Sequence, residues 1–175
     1  MLKIMSLRGL EMVKKVKATL FLKLCLADAY VELLKKKYAD QITINQITNK
    51  ASVSRSTYYR HFTSKDDLLK FKLLTIIGRK RADLSANLSN VELIRYFFNL
   101  MADNHELLKI LVKNNKFQIL VDIILPPLAN LSIKEQYQRQ KYGYAFIGML
   151  KLWIICDFKE DADKLADLYL STWQS

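Results

Sequence analysis

Three polar residues, Thr43, Ser54 and Ser64, each stand where an apolar helical pattern needs a break, and they constrain this chain more than anything else in it. Thr43 is followed three residues on by Gln46, and Ser64 by Asp67, the spacing of a capping box in which two orphan backbone N–H groups at a helix start are satisfied reciprocally. Ser54 is a single N-cap. Between these stops, Ile44, Ile47 and Ala51 share one face of a short helix, and Tyr58 and Phe62 repeat at i, i+4 in the next. Ser52-Val53 forms the turn, with Val53 as an apolar plug between the two helices. The stretch from Gln41 to Leu69 therefore reads as helix, tight turn, helix, tight turn and the start of a longer helix.

What remains of the second helix is polar and cationic: Arg55, Ser56, Thr57, Tyr59, Arg60 and His61. Such side chains donate to phosphates and base edges, and the helix is short enough to enter a major groove. The charge distribution agrees. Residues 1–81 hold 18 Lys and Arg against 6 Asp and Glu (+12), and the remainder 10 against 11 (−1), so the whole surplus of +11 lies with this half. A basic head could also bind RNA or an acidic protein as a DNA-independent helical interaction module. That alternative leaves the in-frame caps and aromatic spacing unexplained.

Residues Ile42 to Leu69 resemble the DNA-binding signature of the tetracycline-repressor (TetR) family. The match lies at Ile42, Thr43, Ile47, Ala51, Val53, Ser54, Thr57, Tyr59, Phe62 and Lys65. Beyond this stretch it extends to architecture and length alone. Ser52 stands where the family usually has glycine, and a turn of positive φ costs serine about 1 kcal/mol more than glycine. The resemblance implies a homodimer on double-stranded DNA, each subunit reading half of a palindromic operator, with a small-molecule effector as a further partner. By that resemblance Thr43, Tyr59, His61 and Lys65 hold phosphates, while Arg55, Ser56, Thr57 and Arg60 approach base edges beside the cap Ser54.

Four Gly and two Pro in 175 residues, with half the chain apolar and no strand-like alternation, predict an all-α protein of about nine helices. The expected organisation is an N-terminal extension (1–12), a three-helix helix-turn-helix head (13–63), and a helical regulatory and dimerisation bundle (64–175) entered through a fourth, connecting helix. Residues 1–11 read either as an adaptable arm or as a segment ahead of a natural start at Met12. Helix 1 is expected over about Val13–Lys37 with Leu20, Leu24, Ala27, Val31 and Leu34 inward. Later helices are expected from Asn90 (with Leu93, Phe97, Leu100 and Met101 inward), from His105, from Phe117 to a stop at Pro126-Pro127, and over about Ile133–Cys156 and Glu160–Trp173.

The Ile133–Cys156 helix is apolar nearly all round and carries Gly143 and Gly148, each costing about 1 kcal/mol against Ala. Gly143, Phe146, Ile147, Gly148, Leu150 and Trp153 are therefore expected at a subunit interface, the role this helix pair has in TetR-like proteins. Phe97, Met101, His105, Phe117 and Tyr144 form a candidate ligand-binding set, with plain core packing the stronger reading of the five. No nucleophile–base pair, glycine-rich phosphate loop or ligand-spaced His/Cys cluster is evident, so neither an enzyme, a cofactor nor a metal is expected. Cys25 and Cys156 lack a framework, which suits a reducing compartment. The most apolar window, Tyr142–Cys156, is too short to span a bilayer and contains Lys151. With no signal-peptide layout, a cytoplasmic location is expected and no membrane partner.

Overall fold

The computed structural model describes the backbone of residues 2–82, 89–125 and 131–172, and the side chains of 16–78, 89–125 and 131–172. Among these residues are nine α-helices and no strand: α1 (Leu2–Leu34), α2 (Ile44–Ala51), α3 (Arg55–His61), α4 (Lys65–Ala82), α5 (Asn90–Asp103), α6 (His105–Lys113), α7 (Phe117–Ile124), α8 (Ile133–Ile155) and α9 (Ala162–Ser171). A 3₁₀ turn, Ala39–Gln41, precedes α2. None of the helices is long and apolar enough to cross a membrane among the described residues. The chain divides into two compact units, residues 1–72 and 73–175, so the first two turns of α4 belong with the head rather than with the bundle.

In the first unit, α1, α2 and α3 pack on one another. Leu26, Ala27, Tyr30 and Leu34 of α1, with Ile42, Ile47, Tyr58, Phe62, Leu68 and Leu69, are buried. Two expectations for α1 need correction. Its backbone is helical from Leu2, with no separate arm, because Leu, Met, Lys and Arg favour helix strongly enough to carry it through Gly9. Among its described side chains the buried stripe begins at Leu26, and Leu20 is exposed, as are Val16 and Phe21. The helix stops at Leu34, leaving the Lys35–Lys37 run in the turn that follows.

Ser52 closes α2 at φ 54°, ψ 38°, the left-handed region that the glycine-for-serine comparison anticipated. Replacing it by glycine removes the Cβ penalty, offset in part by the greater freedom of glycine in the unfolded chain. Ser52→Gly is expected to stabilise the protein by about 0.5–1 kcal/mol in urea unfolding.

Within the second unit, α5 packs on α9 and α8 on α9, while α6 joins α5, α7 and α8. The ring of Phe98 is central, with Phe146 at 5.0 Å, Tyr169 at 6.0 Å and Trp153 at 6.1 Å between centroids. Phe98, not Phe97, is the fully buried member of that pair, with Leu100 and Met101 beside it in the core. The cap of α5 is Ser89, not Asn90, and Glu92 completes its box; Ser132 and Glu135 do the same for α8. Asp161 caps α9, so that helix starts at Ala162 and is described to Ser171. The expected stop at Pro126-Pro127, the end of helix 4 near Leu84 and the end of the last helix at Trp173 lie outside the described residues.

Candidate nucleic-acid interface

The head is built on caps. Thr43 Oγ1 accepts the Gln46 N–H at 3.3 Å, and Gln46 Oε1 accepts the Thr43 N–H at 2.9 Å, so α2 starts with both orphan donors satisfied. Ser54 Oγ accepts the Thr57 N–H at 3.2 Å and lies 2.9 Å from the hydroxyls of both Ser56 and Thr57, which opens α3. Asp67 Oδ2 accepts the N–H groups of Thr63 and Ser64, each at 2.9 Å, and the Thr63 hydroxyl at 2.6 Å. The Thr63 hydroxyl, with the backbone donors of Ser64 and Thr63, holds the Asp67 carboxyl below the usual carboxylate range.

These stops set α3, seven residues long, with one face down and one out. Tyr58 is fully buried and meets Phe62 at 6.0 Å between ring centroids. Arg55, Ser56, Tyr59 and Arg60 are exposed, and Thr57 and His61 are half-buried. The Arg55 guanidinium lies 5.9 Å from the centroid of the Tyr59 ring, which stands edge-on to Tyr58 at 5.2 Å. Thr43 is exposed at the start of α2. Beyond Thr43, which caps α2, two of the predicted DNA-facing residues have side chains that serve the fold. Ser54 is occupied as a cap.

Lys65 is the other. Its ammonium donates to the carbonyl oxygens of Ala39, at 2.5 Å, and Ile42, at 2.7 Å. The role expected for it is a phosphate contact; within the chain its ammonium ties the start of α4 to the segment entering α2. The Ala39 carbonyl also accepts the Ile42 N–H at 3.4 Å, so the ammonium adds a charge-assisted donor to it.

Below α3 the hydroxyls of Tyr58 and Tyr30 are buried without a hydrogen-bond partner. Burial, with Asp66 as a second cause, pushes the Tyr30 phenol up to about 12. A buried hydroxyl that exchanges nothing for its lost water costs stability. Tyr58→Phe keeps the ring and removes that cost, so it is expected to raise stability by about 1 kcal/mol in denaturant titration. A loss of similar size would mean that the hydroxyl is satisfied in solution.

In the second unit the expected ligand-binding set does not converge. Met101 is core, Tyr144 is 58% exposed, and His105 sits at the surface with Nδ1 2.9 Å from the Ala102 carbonyl. Phe117 is half-buried on α7. Phe97 alone of the five lines the cleft that the unit does contain, a space of about 540 Å³ walled by Leu93, Ile124, Tyr142 and Phe146 among others, with Arg139 as the charged side chain among its described lining. On α8 Arg139 reads as one basic residue among several; its place at the rim of the cleft shows only once α5 and α7 are set against it.

The expected interface set is also redistributed. Phe146, Ile147, Leu150 and Trp153 are buried within their own subunit. A Cβ on Gly143 would stand 2.1 Å from Leu125 Cδ2, so this glycine admits a leucine of its own chain, while Gly148 faces open space. The outer stripe of α8 is instead Tyr144, Gly148, Leu152 and Ile155, all exposed at three-to-four-residue spacing, with Tyr137 exposed two turns before Tyr144 and Leu168 exposed on α9.

Comparison with known proteins fits this geometry. The profile of the bacterial regulatory proteins, tetR family, matches residues 26–70, from the first buried residue of α1 to the second turn of α4. A crystal structure of a TetR transcriptional regulator from Streptococcus agalactiae 2603V is similar in fold, with a TM-score of 0.64 at 21% identity over 93% of this chain and 98% of that one. No curated protein sequence gives a significant match. The head thus matches the tetR-family model of bacterial regulatory proteins over residues 26–70, and the helical fold across nearly the whole length is similar to that of a TetR transcriptional regulator.

Proposed function

We propose that the protein is a homodimeric, ligand-responsive repressor that reads a palindromic operator, α3 of each subunit lying in the major groove of one half-site. The observation that carries this reading is the outer face of α3: Arg55, Ser56, Tyr59 and Arg60 stand exposed on a helix pinned by caps over a buried Tyr58. Arg55, Ser56, Thr57 and Arg60 approach base edges, an arginine favouring guanine through paired donors. Thr43, Tyr59 and His61 hold phosphates and set register. The sign of regulation rests on the family alone.

Dimer formation is supported by the apolar outer stripe of α8, joined by Leu168 of α9, since large apolar patches are rare on monomers. Effector response follows from α4, which contributes turns to both units. A ligand that prefers one setting of the second unit biases that helix and with it the spacing of the two reading heads, a coupling free energy between sites.

Selection of bound duplexes from a random pool tests the reading. The expected product is an inverted repeat whose half-sites are separated by about one helical turn, 10–10.5 base pairs, or a multiple of it. Contacts to about 6–10 phosphates predict an affinity loss on the order of 10³–10⁵ between about 50 and 200 mM salt. If duplex DNA fails to compete while RNA or an acidic protein binds, the head is an interaction module and the reading fails.

A further inference from the structure

We propose that the cleft of the second unit binds an amphiphile with one carboxylate head on a medium-length hydrocarbon body, the head held by Arg139. The inference rests on reading this unit as the effector-sensing part. Its volume of about 540 Å³ lies within the usual range for small-molecule sites. At about 30 Å³ for each water-sized group it admits on the order of eighteen such groups, which suits a chain of about a dozen carbons and its head.

The chemistry of the walls selects among ligands of that size. Leu93, Phe97, Ile124 and Phe146 offer no hydrogen bond, and the Tyr169 hydroxyl already donates to the Tyr142 carbonyl at 2.9 Å. A sugar or nucleoside would bury several donors and acceptors with no partner, a cost that apolar contact does not offset. The charge at the site is of one sign. Arg139 lines the cleft yet is exposed, and it makes no ion pair among the described residues. Its planar fork matches a carboxylate through two parallel N–H donors, and no acidic side chain is among the described lining to receive a cation. An apolar body is thus required by the walls and an anionic end by the rim.

Full-length protein without DNA is titrated below the micellar limit with dodecanoate, dodecanol and dodecyltrimethylammonium, read by calorimetry and thermal shift. Dodecanoate is expected to bind and raise the melting temperature, dodecanol to bind at least about tenfold more weakly, and the cation not to bind. Arg139→Gln, a change at an exposed position, should weaken dodecanoate by at least about tenfold and leave dodecanol unchanged. Ile94→Trp, which fills the cleft from α5, should remove both. Equal affinity of dodecanoate for the parent and Arg139→Gln overturns the proposal, and so does binding that survives Ile94→Trp, which would place the ligand on the exposed α8 stripe. Operator binding is measured separately. A protein that takes dodecanoate in this pattern yet ignores every duplex loses the regulatory reading and keeps the site; one that binds its operator and ignores dodecanoate loses this inference alone.

Discussion

Leu152→Glu combined with Ile155→Glu is expected to yield a folded monomer whose operator affinity has fallen on the order of 10²–10⁴-fold. Both side chains are well exposed, 62% and 65%, so glutamate at either leaves the subunit's own core untouched, and surface changes of this kind move stability by about 0.5 kcal/mol or less. Placed across a two-fold axis, each carboxylate would meet apolar surface and its own symmetry mate. Burying such charges costs more than a modest interface returns. The affinity loss follows from linkage: a dimer binds its second half-site at an effective concentration in the millimolar range, an advantage a monomer lacks. Light scattering for mass, circular dichroism for folding and a DNA titration check the three parts. A variant that stays dimeric and binds normally would put the pairing surface elsewhere. Leu150→Ala is the contrasting change. That leucine is 0% exposed within its own subunit, so its truncation should cost about 2–5 kcal/mol of stability whatever the oligomeric state.

Lys65→Met is expected to destabilise the head by about 2–4 kcal/mol while leaving the salt dependence of DNA binding unchanged. The ammonium holds the carbonyls of Ala39 and Ile42, which lie on the segment that leads into α2. Charge-assisted hydrogen bonds of this kind contribute about 1.5–3 kcal/mol each, and methionine keeps the stem while withdrawing the ammonium from both oxygens. A phosphate-binding lysine would behave in the opposite way. Its loss would spare stability and lower the slope of log affinity against log salt by about 0.9 per contact. Urea unfolding alongside a salt series on the same preparation separates the two.

How far the head could be read in advance follows from the range of its interactions. Thr43 with Gln46, Ser54 with Thr57 and Ser64 with Asp67 are bonds between residues three apart, so the order of letters contains both partners. The left-handed turn at Ser52 was marked by a departure from glycine at one position. Lys65 resisted because its partners are carbonyls 23 and 26 residues earlier, and a carbonyl has no signature in sequence. A lysine in a family DNA-binding pattern reads by its charge as a phosphate contact, while its position beside two carbonyl oxygens decides what that charge meets in the fold.

The bundle shows the other limit. On α8, Phe146, Ile147, Leu150 and Trp153 face inward and Tyr144, Leu152 and Ile155 outward, yet all seven are apolar. A helix with little contrast between its faces offers no periodicity by which to tell core from interface. The inward face was settled by what stands opposite: Phe98 and Tyr169 packed on Phe146, and Leu125 seated at Gly143. The same holds for the cleft, where α5, α7 and α8 set apolar side chains beside the exposed Arg139 and Phe97 alone of the expected ligand contacts takes part.

By itself, then, the order of residues determined the helices, the caps of the head, the buried side of α3 and the family signature that the head carries, because each depends on groups within a turn or two of one another. Which face of α8 is spent inside the subunit, what Lys65 binds and where a cavity opens were decided only by tertiary structure. Those outcomes depend on surfaces from distant elements meeting, and close packing lets each apolar face be covered from one direction alone.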